Sequence, residues 1–218
     1  MTRLAILSLI LAPALFAAGP GSMPSTGGMH RSPHEDAVGY YNAAERRLDK
    51  MSKLHAELKA TTDPQKAASL RQNLNKGLEA AAADFRRATD NDPRMFQAHS
   101  ELGFTLRKLG RYDESLAAYE KALEIEPGFS PAIEYRAEAY LGLGKLDEVK
   151  SAYMLLFDGD RPKADTLMTS MNSWVAQQRT TPTVDAAQLD AFGKWLEARQ
   201  TLAGQVPAVA SADTFRSW

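Results

Sequence analysis

The chain has 218 residues, 44% of them hydrophobic, which is enough to bury a core in one domain or two. Its 26 basic and 27 acidic residues nearly cancel, so it offers no long-range field to draw nucleic acid or an anionic membrane. Cysteine is absent, which excludes disulfides, a thiol nucleophile and an N-terminal lipid on cysteine.

At the N-terminus, Arg3 precedes an apolar run from Leu4 to Ala18, followed by small residues and a Pro-Gly break. This is the pattern of a secretory signal peptide over residues 1–19. Cleavage after Gly19 puts Ala17 at the −3 position, and Ala12 with Ala14 marks an earlier alternative. The run is shorter than the roughly 20 apolar residues that span a bilayer, and Ser8 and Pro13 interrupt it. The mature product is therefore expected to be soluble, periplasmic or secreted, without stable membrane insertion. Residues 20–35 are rich in Gly, Ser and Pro with almost no large apolar side chain, which predicts a flexible leader.

From residue 36 the apolar spacing is helical. Tyr40, Tyr41, Ala44, Leu48, Met51, Leu54 and Leu58 make one stripe, and Ala67, Leu70, Leu74, Leu78, Ala81, Phe85 and Ala88 make another. Asp63 and Pro64 supply an N-cap and a first-turn proline between them, which predicts a long antiparallel hairpin within 36–95. Shorter helices are expected at about 94–109, 112–126, 131–143 and 146–157. Asp158-Gly159-Asp160-Arg161-Pro162 reads as a polar turn. Two further helices, one carrying Leu167, Met168, Met171, Trp174 and Val175 and one carrying Leu189, Phe192, Trp195 and Leu196, make a cap over 164–204. Residues 205–218 lack periodicity and read as a loose tail. No strand-like alternation competes, so the fold class is all-α.

The chain repeats itself. Shifting it by 34 residues lays Gly110 on Gly144, Tyr112 on Leu146, Asp113-Glu114 on Asp147-Glu148, and Tyr119 on Tyr153. The same shift backwards lays Tyr119 on Phe85, Ala122 on Ala88 and Pro127 on Pro93. A period of this length belongs to stacked helix-turn-helix units that share one continuous core. Gly110 and Gly144 sit where first helices end, and the acidic pairs sit on the first turns of second helices, where the helix dipole favours them. They are helix punctuation, not an acid/base pair.

On these residues the chain resembles the tetratricopeptide repeat family, most closely over 96–129, where Leu102, Gly103, Gly110, Tyr112, Tyr119, Ala122 and Pro127 occupy signature positions. His99, Leu106 and Ser115 depart from the preferred Trp, Tyr and Ala. A second unit, 130–163, keeps Tyr140, Gly144 and Tyr153, with Leu156 and Arg161 replacing the usual Ala and Pro. The resemblance implies a right-handed superhelical solenoid of antiparallel hairpins, with the long N-terminal pair and the C-terminal hairpin as caps.

No constellation for catalysis is present in the sequence. His30 and His34 in "HRSPHED" lack the Glu of a zinc-protease helix, the Asp158/Asp160 pair lacks the other ligands of a calcium loop, and no glycine-rich loop follows a strand. No enzyme activity, metal or cofactor is expected. The resemblance implies instead a scaffold that holds another protein or peptide in a concave groove, with no nucleic acid partner. The alternatives are a structural subunit of an envelope assembly, or the recognition arm of an enzyme. Groove positions carried over from the family are Gln97, Ser100, Glu101, Phe104, Arg107 and Lys108 in the first unit, and Glu134, Tyr135, Glu138 and Leu141 in the second. Phe104, Arg107, Lys108, Tyr135 and Glu138 are the expected partner-binding residues, because exposed aromatics beside an arginine compose a binding hot spot. The competing expectation is that the long first helix or the tail covers Phe104 and Tyr135.

Overall fold

A computed structural model describes residues 31–205. The expected signal peptide, most of the expected leader and nearly all of the expected tail lie outside these residues. The described part is eight helices with no strand: α1 (Pro33–Ala60), α2 (Pro64–Asn91), α3 (Phe96–Lys108), α4 (Tyr112–Ile125), α5 (Ser130–Gly142), α6 (Leu146–Gly159), α7 (Arg161–Thr180) and α8 (Ala186–Gln205). No described helix is long and apolar enough to cross a membrane.

The first helix starts earlier than composition suggests. Ser32 caps α1, its hydroxyl accepting from the Glu35 N–H at 3.2 Å while the Glu35 carboxylate accepts from the Ser32 N–H at 2.7 Å, and Pro33 fills the first turn. Residues 33–35, expected in the flexible leader, are therefore helical. His34 then pairs through Nδ1 with the Asp92 carboxylate at 2.7 Å, tying the start of α1 to the end of α2. That bond from His34 holds the Asp92 carboxyl below its ordinary value.

The two predicted stripes meet. Ala44 and Leu48 of α1 pack with Leu78, Ala81, Ala82 and Phe85 of α2, and Tyr41 meets Phe85 edge-on at 5.6 Å. Gly77 is the close-approach point, because the Met51 thioether fills the space that a side chain there would need. Asp63 caps α2 by accepting from the N–H groups of Gln65 and Lys66.

The period recurs in the packing. Phe85, Tyr119 and Tyr153, spaced by 34 residues, are each at most 1% exposed. Gly110 and Gly144 have φ of 77° and 68°, the left-handed conformation that closes a helix without a Cβ penalty. Gly103 lets α3 lie directly on α4, since a Cβ there would sit 2.7 Å from the Tyr119 ring. Ser115, where alanine is usual, donates its hydroxyl to the Gly103 carbonyl at 2.7 Å and so pins the same contact. The first helices of successive units touch: α3 packs on α5, and α5 on α7.

The junction after α6 differs from expectation. Instead of a polar turn over Asp158–Pro162, α6 runs through Gly159 and α7 starts at Arg161. Asp160 alone separates them, its carboxylate accepting from the Lys163 N–H at 3.2 Å. Arg161 stitches the corner by stacking 4.1 Å over Phe157, bonding Asp165 and donating to the Ala203 carbonyl at 2.9 Å. The cap closes through apolar contacts: Trp174 meets Phe192 edge-on, Phe192 stacks on Trp195, and Leu167, Met171, Phe192 and Leu196 are buried.

Candidate functional site

The five expected binding residues converge on the face that α3, α5 and α7 share. Phe104 of α3 and Tyr135 of α5 approach to 5.3 Å between ring centroids. The Arg107 guanidinium lies 5.4 Å from the Phe104 ring and 5.7 Å from the Tyr135 ring. One turn of helix separates Phe104 from Arg107 and Lys108, which is why both cations reach the same ring; the Lys108 Nζ lies 5.3 Å from it.

Arg107 and Glu138 form a 2.6 Å ion pair across α3 and α5, with side chains only 11% and 18% exposed. Burial works against the Arg107 charge, and Glu138 together with the neighbouring Tyr119 and Tyr135 outweighs it, so the guanidinium is held above its ordinary value. The second Glu138 oxygen accepts the Ser170 hydroxyl of α7 at 2.6 Å. A parallel strut lies beside it: Lys163 of α7 pairs with Glu134 of α5 at 2.6 Å and lies 5.6 Å from the Tyr135 ring. Burial pushes the Glu134 carboxyl up, against the pull of Lys163.

The geometry lies between the two expectations for Phe104 and Tyr135, exposed aromatics beside an arginine and aromatics covered by another part of the chain. Arg107 and Glu138 serve each other, and both rings are half-buried. Part of the cover over Phe104 comes from the cluster containing Ala44 and Leu48 of α1. Three carried-over groove positions, Ser100, Glu134 and Leu141, are buried at 5% exposure or less; Glu134 is paired with Lys163 of α7, and Leu141 packs in the apolar cluster shared with α6, α7 and α8. Lys108 is exposed, and Gln97 and Glu101 are half-buried on the same helix. Lys163 and Ser170 were absent from the sequence reading. The 34-residue shift does not point to them, because α7 begins before the third unit would.

The described histidines have structural neighbours. His99 bonds the Pro93 carbonyl at 3.0 Å, in keeping with a packing role at the usual tryptophan position. His55 of α1 is held below its ordinary value by burial first and by the charges of Lys59 and Lys108. Among the described residues, no three His, Asp or Glu side chains converge as a metal ion would require.

The family model for the tetratricopeptide repeat matches residues 96–129, the span of α3, α4 and the turn that follows. This segment is similar to a tetratricopeptide repeat. The small glutamine-rich tetratricopeptide repeat-containing protein 2 of Mycosarcoma maydis is 39% identical over 49 residues. That stretch is 22% of this chain and 14% of the relative, so the chain spans a small part of that protein. Among solved structures, a crystal structure of MamA is 22% identical with a TM-score of 0.37, over 59% of this chain and 89% of that one. The MamA RS-1 ArsTM double mutant is 20% identical with a TM-score of 0.40, over 76% of this chain and 97% of that one.

Proposed function

We propose that the protein is a non-catalytic scaffold of the bacterial cell envelope, holding a segment of another protein along the inner face of α3, α5 and α7. The tetratricopeptide repeat supports the interaction role. The observation that carries the choice of face is the continuous strip of Phe104, Tyr135, Arg107 and Glu138, internally paired and flanked by exposed Lys108. A strip already braced in this way loses little conformational entropy when a partner covers it, which favours association. Rigid aromatic surface would supply the contact, while Lys108 would steer charge at the edge. Lys108→Glu is expected to weaken retention of the natural partner at least tenfold while lowering the melting temperature by no more than about 3 °C, since the side chain is exposed and its contact with the Phe104 ring is worth little there. Unchanged retention would count against this face.

The compartment rests on the Leu4–Ala18 run and the small residues after it. Intact-mass measurement of the exported protein should show a chain starting near Pro20. Recovery of the chain with Met1 in a membrane fraction would contradict export by cleavage.

A further inference from the structure

Away from the strip, on the second-helix side of the solenoid, a hollow of about 190 Å³ opens between α6 and α8. It is lined by Tyr153, Met154 and Phe157 of α6 and by Arg199 and Leu202 of α8. Its floor is fixed: the Tyr153 ring lies 5.7 Å from Phe157 and 5.6 Å from Trp195, and Tyr153 is 1% exposed. Its lip is apolar and wet, because Leu202 remains 46% exposed and is one of four large hydrophobic side chains so exposed among the described residues.

The charge at the lip is unbalanced. Arg161, the nearer guanidinium to Phe157, is satisfied by Asp165 and by the Ala203 carbonyl. Arg199 lies 5.7 Å from the Trp195 ring and has no carboxylate partner among the described residues. A guanidinium parked on an indole face is oriented yet still able to take a bidentate carboxylate. An apolar hollow the size of one large side chain, with one uncompensated cation on its rim, is complementary to an apolar group beside a negative charge.

We propose that this hollow is a second docking site, taking from a partner protein a short segment in which a leucine or phenylalanine side chain enters beside Tyr153 and Leu202 while a neighbouring carboxylate pairs with Arg199. It uses neither α3 nor α5, so it stands or falls separately from the inner-face reading.

The test is fluorescence anisotropy on the full chain with a labelled Glu-Leu-Phe-Asp amide peptide as probe. Saturable binding is expected, weakened at least tenfold by Arg199→Glu and by Leu202→Asp, and unchanged by Lys108→Glu. The Arg199→Glu chain should in turn prefer a Lys-Leu-Phe-Lys amide peptide. That exchange of preference cannot come from unfolding, so it keeps the proposal falsifiable if Leu202→Asp melts early. Absence of binding, or equal binding by all variants, overturns the proposal. So does oligomerisation that Leu202→Asp abolishes, which would assign the hollow to a second copy. Binding by a chain ending at Gln205 but not by the full chain would assign it to residues 206–218 and also overturn the proposal.

Discussion

Tyr119→Ala is expected to destabilise the protein by about 4 kcal/mol, measured by urea denaturation. The ring is 0% exposed and sits against the backbone of Gly103, within an apolar cluster that includes Leu116, Ala122, Ala132 and Ala139. Alanine would leave a cavity that rigid helices on both sides cannot close, so the transfer and cavity costs both apply. Burial pushes the Tyr119 phenol well above its ordinary value, and the neighbouring Arg107 pulls against it. Its hydroxyl is therefore a neutral neighbour of the Arg107–Glu138 pair. Tyr119→Phe should change stability by less than about 1 kcal/mol in either direction, since it keeps the ring and removes a buried hydroxyl that has no hydrogen-bond partner. The residue 34 positions earlier, Phe85, is buried to the same degree with no hydroxyl. A small loss for Tyr119→Ala would mean that the units do not stack through this ring.

The second large effect belongs to the strut between α5 and α7. Lys163→Met should cost about 2 kcal/mol near neutral pH, because it leaves the Glu134 carboxylate without its cation. The Glu134 side chain is 3% exposed and that of Lys163 is 30% exposed, which limits the loss relative to a fully buried pair. The deficit should depend on pH. Burial already holds the Glu134 carboxyl above its ordinary value, and removing Lys163 removes the opposing pull. A carboxyl whose folded value exceeds its unfolded value binds more protons when folded, so stability falls as pH rises between the two and is regained below the lower one. The Lys163→Met deficit should therefore shrink between about pH 7 and the ordinary glutamate value of roughly 4.3. In the native chain, burial works against the Lys163 charge and Glu134 outweighs it, holding the ammonium above its ordinary value. That contribution is present below the unfolded lysine value and is lost as pH rises through the folded one. A deficit equal at both ends of the acid range would show that Glu134 is better solvated than its surroundings imply.

The helices and their period were legible because each rests on local chemistry: stripes spaced by three and four, a proline after Asp63, and glycines where first helices stop. The buried series Phe85, Tyr119, Tyr153 follows from the same arithmetic. The start of α1 was written in Ser32 and Glu35, a capping-box spacing, but the surrounding Gly, Ser and Pro content pointed to a leader. The corner at Asp160 departs from the expected turn because Asp, Gly and Pro favour turns, whereas the stack of Arg161 on Phe157 and its bond to Ala203 hold two packed helices with a single residue between them. At the candidate site the residues were legible and their relations were not. That Arg107 would be spent on Glu138 depends on how α3 lies against α5. The contributions of Lys163 and Ser170 depend on α7 taking the place of another first helix, and no spacing within one helix encodes either.

Binding along the inner face is tested most directly by photo-crosslinking in an envelope extract, with benzoylphenylalanine placed at Lys108 in one protein and at Glu120 in another. Both positions are exposed, the first on α3 beside the aromatic strip and the second on α4. Partner adducts from position 108 and none from position 120 are the expected result. Adducts from position 120 with none from position 108 would contradict the assignment.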